Sequence, residues 1–152
     1  MCLTPRAAER PLVLPRRAMS EVEERYETYA YLWVRGFDPP HSRISDALGL
    51  EPSQAFHEGD PWYKDRTRSF SSWHLTSPLP RTEVFLDAHI EALLDVLEPK
   101  REQLAEVAAR YEVGMNCVGY YTSANPGIHL SAEVIRRCGD LGLSIDFDLY
   151  CR

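Results

Sequence analysis

The sequence predicts an α+β fold, a single sheet layer with helices packed against one side. Three observations carry that prediction. Residues 28–36, 113–123 and 144–151 are rich in aromatic and β-branched side chains and read as strands. Leu86, Ile90, Leu93, Leu94 and Leu97 recur at helical spacing and mark the apolar face of a helix. The 152 residues, 44% hydrophobic and 26% charged, have the make-up of a globular chain long enough to build one core without disulfide or metal staples.

Each element follows in order. Residues 1–25, MCLTPRAAERPLVLPRRAMSEVEER, scatter three prolines among apolar residues without a sustained period. They read as a disordered arm, with Met19 a candidate true start, ahead of a single α+β domain over residues 26–152. The first strand is TYAYLWVRG, closed by Gly36. Asp38 is expected to cap a helix that has Pro39 in its first turn and Gly49 as its stop. Leu50 onward supplies a second strand up to the Gly59-Asp60-Pro61 break, and SFSSWHLTS a third, ended by Pro78 and Pro80. Thr82 is expected to cap the leucine-striped helix, with His89 opposite the stripe and facing water. Pro99 opens a further helix carrying Leu104, Val107, Ala108 and Tyr111. After the strand VGMNCVGYYTS and the loop ANPG, Ser131 caps a helix with Val134, Ile135, Cys138 and Leu141 on one side and Gly142 after it. The alternation of SIDFDLYC marks a half-buried final strand.

This order is that of an extended ferredoxin-like antiparallel sheet with helices on one face. Asp38 and Ser131 each precede a Leu-Gly-Leu sequence by 10 residues. That match fits a duplicated strand-helix-strand unit, and equally two helices converging on the same glycine stop.

Composition narrows the function classes. A net charge of −6 disfavours nucleic acid and anionic lipid as general partners, because affinity for phosphate needs cations that release counterions. Residues 1–19 carry a local +3, so the rest of the chain holds −9. No run of about 20 apolar residues could span a bilayer and no apolar run fits a signal peptide, so a soluble, cytoplasmic protein is expected. Cys2, Cys117, Cys138 and Cys151 form no CxxC and have no histidine at zinc-finger spacing; Cys117 and Cys138 read as small buried hydrophobes. GxSxG, HExxH, P-loop and GxGxxG motifs are all missing, and no cofactor is implied.

Strand parity then sorts a candidate surface. Ala30, Leu32 and Val34 fall on one side of the first strand and Tyr29, Tyr31, Trp33 and Arg35 on the other; Ile145, Phe147 and Leu149 oppose Asp146, Asp148 and Tyr150. With the small aliphatic sets under the helices, the open face presents Tyr31, Trp33, Arg35, Tyr120, Asp146, Asp148 and Tyr150. Aromatic rings beside a few charges are the composition of binding surfaces. The same rings also suit a sheet face covered by residues 52–68 or by a second subunit. Asp146 and Asp148 share a face as a cation-binding or acid-base pair would, and as solvated strand carboxylates do. A second polar cluster gathers Asp60, Arg66, Arg68, Trp73 and His74, with Asp60 placed to orient an arginine. The remaining histidines are scattered singly.

The run Ile44-Ser45-Asp46-Ala47-Leu48-Gly49-Leu50-Glu51-Pro52, with Gly59-Asp60, Trp73, Leu93-Leu94-Asp95-Val96-Leu97-Glu98-Pro99 and Ile145-Asp146-Phe147-Asp148-Leu149-Tyr150, resembles the bacterial domain of unknown function 4279 family. The resemblance spans about residues 28–151, and the segment before Met19 departs from it. It implies a compact α+β domain in a bacterial cytoplasm, and its motifs are structural, so it carries over no catalytic or binding residue. The leading expectation is a non-enzymatic protein-binding module, immunity-type or regulatory, whose partner is another protein or a second copy of itself. The alternatives are a small-ligand-binding domain or small enzyme using the same face or the Asp60, Arg66, Trp73 cluster, and a structural domain that homodimerises through the sheet.

Overall fold

Strand β1 (Glu27–Arg35) runs through the middle of a five-stranded sheet ordered β2-β3-β1-β4-β5. The computed structural model describes residues 26–122 and 127–152; the expected N-terminal arm and residues 123–126 of the ANPG loop lie outside the described residues. The other elements are α1 (Ser42–Leu48), β2 (Gln54–Phe56), β3 (Ser72–Thr76), α2 (Leu86–Leu97), a 3₁₀ turn (Glu98–Lys100), α3 (Arg101–Ala108), β4 (Glu112–Tyr121), α4 (Ala132–Asp140) and β5 (Ser144–Cys151). The β1–β3, β1–β4 and β2–β3 pairings are antiparallel, whereas β4 and β5 are parallel. The sheet is therefore mixed rather than antiparallel throughout. The reason is the connection: neighbouring strands joined through a helix such as α4 return in the same direction.

Alternation places Ala30, Leu32 and Val34 of β1, Trp73 of β3, and Met115 and Cys117 of β4 on one face, all fully buried. All four helices bury their apolar residues in this same cluster: Ile44 and Leu48 from α1, the α2 stripe, Leu104 and Val107 from α3, Val134 and Cys138 from α4. Each fully buried Leu or Ile there stabilises the fold by about 1.5–3 kcal/mol through removal from water. Among the described residues, no helix lies on the opposite face and no helix is long and apolar enough to cross a membrane.

Several local expectations are corrected. Helix α1 starts at Ser42 with His41 at its cap, not at Asp38, although Gly49 stops it in the left-handed conformation as expected (φ 66°). Helix α2 starts at Leu86, not after Thr82. Residues 81–83 are committed to β1 instead: Thr28 donates its amide to the Arg81 carbonyl at 3.0 Å and its hydroxyl to the Glu83 carbonyl. His89 is fully buried rather than facing water, between Ser77 Oγ (3.0 Å) and the Glu83 carbonyl (2.9 Å). Standing three residues after Leu86 and four before Leu93, it flanks the stripe, and that spacing was the signal for its burial.

Pro99 sits in the 3₁₀ turn and α3 begins two residues later; Ala108 is exposed. Ser131 caps α4 as expected, its hydroxyl accepting from the Val134 amide at 3.1 Å, but Ile135 points outward and is exposed. Strand β5 is exposed over most of its length rather than half-buried: Phe147 and Leu149 lie on the helix side yet remain open to solvent. The two strand-helix-strand stretches are also built differently. Strands β4 and β5 are direct neighbours, while β3 separates β1 from β2, and only the second helix begins where the cap spacing placed it.

Candidate functional site

The side of the sheet away from the helices follows from register. Tyr31 lies across from Thr76 on β3 and Asn116 on β4, and Asn116 in turn from Asp146 on β5. One row on, Trp33 pairs with His74 and with Gly114; on the other side Tyr29 pairs with Val118, and Val118 with Asp148. Glu27, Tyr120 and Tyr150 complete the series. Strand geometry thus sets Tyr31, Trp33, Arg35, Tyr120, Asp146, Asp148 and Tyr150 on one face.

Their environments differ along it. Trp33 is only 9% exposed. Its indole lies over Gly114, where any Cβ would collide with the ring, and the Arg35 guanidinium stacks on the indole at 4.2 Å. Next to it, Asn116 Nδ2 donates to Tyr31 Oη at 2.9 Å and to Asp148 Oδ2 at 2.8 Å, while Asn116 Oδ1 is buried without a partner. Across the β4–β5 pair the rings of Tyr120 and Tyr150 stack at 5.0 Å; Asp146, Asp148 and Tyr150 are exposed.

The opposite end of the face, at β2 and β3, is cationic and aromatic. His74 stacks beside Tyr31 at 4.6 Å and meets Phe56 edge-on at 5.6 Å, and its Nε2 is 2.8 Å from Ser72 Oγ. Burial, together with the nearby Arg35 and Arg68 charges, pushes its pKa down to about 4, so the ring is neutral at physiological pH. Arg68 stacks over Phe56 at 4.0 Å and Trp62 at 5.1 Å, and Arg35 reaches Phe70 at 5.1 Å. Arg68 and Phe70 therefore shape this end of the face through their ring contacts with Phe56 and Arg35, while His57 turns its ring to Phe37 and His41. The sequence pattern grouped Arg68 with His74 but gave no hint of the aromatic stacks, because Phe56, Trp62 and Phe70 meet the arginines only through strand pairing and the loop between β2 and β3.

Only the Arg68–His74 part of the second expected cluster assembles, as an electrostatic contact. Trp73 is fully buried on the helix side and donates its indole N–H to Ser45 Oγ at 3.1 Å. The Asp60 carboxylate accepts from the His57 amide at 2.7 Å and forms no ion pair with Arg66 or Arg68, although the Asp60 carbonyl accepts from the Arg68 amide at 2.8 Å; Arg66 is exposed. His74, adjacent to Trp73 in sequence, points to the opposite face. Among the described residues, no group of three or more His, Cys, Asp or Glu side chains comes together as a metal site would. Burial also pushes the Cys117 thiol up to about 12, far from an activated nucleophile.

A model of the family described as Domain of unknown function (DUF4279) matches residues 26–152, and the chain belongs to that family. No curated protein and no solved structure matches it.

Proposed function

We propose that this member of the DUF4279 family is a non-enzymatic protein-binding module whose working surface is the helix-free face of the sheet, centred on its β5 side. The observation that carries the reading is the state of β5. It is an eight-residue edge strand, exposed along most of its length, that sets Asp146, Asp148 and Tyr150 in solvent. A long edge strand presents unpaired backbone groups that a partner strand can complete, and exposed rings beside carboxylates add side-chain recognition. An acidic edge favours a partner with a basic surface and disfavours a second copy, since antiparallel self-pairing about Phe147 would set Asp146 against Asp148.

An immunity-type or regulatory role, in which the domain occupies a partner's surface, fits a face without a catalytic constellation. The strand order β2-β3-β1-β4, antiparallel at each step, supports reading the first four strands as a ferredoxin-like unit extended by β5. Buried free thiols at Cys117 and Cys138 suit a bacterial cytoplasm.

The test is affinity capture by the purified protein from native lysate, with the light-scattering mass of each species. The wild type is compared with a D146A/Y150A variant, chosen because both side chains are exposed and their loss leaves the core intact. A stoichiometric partner lost in the variant supports the reading. A mass of two protomers lost in the variant replaces the partner with a second copy, and a monomer that captures nothing refutes it.

A further inference from the structure

Arg35 and Arg68 approach the same imidazole from two elements, and neither forms an ion pair or a side-chain hydrogen bond among the described residues. The nearest candidates for neutralising them are spent or distant. Glu112 faces Arg35 across the β1–β4 register without an ion pair, and the Asp60 carboxylate is engaged by the His57 amide. Arg35 Nε is buried with no acceptor at all. A guanidinium carries five donors in a fixed fork, and leaving them without acceptors away from bulk water is costly.

What holds the two groups in place is aromatic packing: Arg35 lies between Trp33 and Phe70, and Arg68 between Phe56 and Trp62. The two stacks meet, since the Phe56 and Phe70 rings are 6.1 Å apart. Stacking on a ring face orients a guanidinium while leaving its N–H edge free, so the donors are fixed before a ligand arrives. Access exists as well. Arg35 lines a cleft of about 440 Å³ at the end of β1 together with Gly36, Phe70, Arg110, Tyr111 and Glu112, and Arg68 stands outside that lining.

We propose that the Arg35–Arg68 end of the open face binds a phosphate group. One guanidinium fork satisfies a carboxylate's two oxygens, whereas two guanidinium groups on stacks that adjoin through Phe56 and Phe70 supply donors and charge for the three terminal oxygens and the second charge of a phosphate monoester. The exposed rings of Phe70 and Trp62 beside the forks give a stacking platform for a planar group carried by that phosphate. This site is separate from the proposed protein-binding edge, which lies across the sheet on β5.

The experiment uses the full chain with two probes, inorganic phosphate and adenosine 5′-monophosphate, followed by calorimetry and by the His74 imidazole resonances. The imidazole reports on the site because the charged groups around it are Arg35 of β1 and Arg68 of the loop, with uncharged Tyr31, Gln54, Phe56 and Ser72 completing its surroundings. Saturable binding at one site per protomer is expected. So is an upward movement of the His74 titration, as the anion offsets the two cations. R68Q, on a loop outside the core, should weaken binding about tenfold or more, and R35K, which keeps the charge and loses the fork, should weaken it less than R35Q. Tighter binding of the nucleotide identifies a ring-bearing ester as the source, and equal binding of both probes identifies the phosphate alone. Absence of saturable binding by either probe, or binding undiminished in R68Q, overturns the assignment. D146A/Y150A should bind phosphate like the wild type, which separates failure of this site from failure of the protein-binding reading.

Discussion

Replacing His74 with glutamine should flatten the acid side of the stability profile. The imidazole pKa falls from 6.5 to about 4 on folding, because burial and the Arg35 and Arg68 charges oppose its protonation. Between those values the unfolded chain binds a proton that the folded chain refuses, so the fold is at full strength above the unfolded pKa and weakens as pH falls towards the folded one. Going from about pH 7 to about pH 4.5, the linkage integral for that shift has a ceiling of about 2.4 kcal/mol. The ring is partly open to water, and solvent screening reduces the expected loss to about 1–2 kcal/mol. For a chain of this size that is a urea midpoint lower by roughly 0.5–1 M. The assay is urea unfolding of wild type and H74Q at both pH values. Other titrating pairs, such as Glu98 with Arg137, weaken equally in both proteins and cancel in the difference. The wild type should lose more stability than H74Q by that amount, and equal losses would show that burial and the two arginines do not hold this imidazole neutral.

The packing makes further predictions. Gly114→Ala puts a methyl group into the Trp33 ring, on which Arg35 also stacks, and should cost about 1–3 kcal/mol of stability, read from denaturant unfolding. Ser131→Ala removes the hydroxyl that accepts from the Val134 amide and should cost about 1 kcal/mol, whereas Ser131→Asp should retain most of the stability. Thiol alkylation of the native protein should modify exposed Cys151 quickly and leave buried Cys117, its pKa pushed up to about 12, unmodified until denaturant is added. Rapid alkylation of Cys117 in the native state, detected by peptide mass mapping, would contradict its burial.

How much of this was legible in the sequence depends on which interactions decide each element. Parity of β1 could be read because small aliphatic residues alternate with aromatic ones, and the register carried that parity across to Asn116 and Asp146. The α2 stripe and the Ser131 cap were legible because both are settled within one turn of the chain. The start of α2 was not. Thr82 has the chemistry of a cap, but the carbonyls of Arg81 and Glu83 are used by Thr28, more than fifty residues away in sequence. Burial along β5 failed for a related reason: alternation fixes which side a residue faces, and only the placement of the helices decides whether anything covers it. Trp33 shows the same gap within the candidate site, since its depth depends on the missing side chain at Gly114 across the strand pair.

The acidic net charge proves a poor guide to this face because charge here is sorted by strand. Asp146 and Asp148 sit on β5 at one edge, while Arg35 at the end of β1 and Arg68 before β3 act on His74 of β3, and Asn116 with Tyr31 forms a polar seam towards β5. Adjacent strands are about 4.8 Å apart, so β5 lies roughly 10 Å across the sheet from β1, which carries Arg35, and roughly 15 Å from β3, both beyond the Debye length of about 8 Å at physiological salt. Each end therefore presents its own sign to a ligand instead of cancelling the other. A basic edge on a protein partner and a phosphate group could occupy the face together, and they would compete only if one partner reached across the Tyr31–Asn116 seam. Phosphate should accordingly leave capture at β5 unchanged for a partner confined to that edge and inhibit it for one that spans the sheet, so capture assays with and without phosphate measure how far the partner extends.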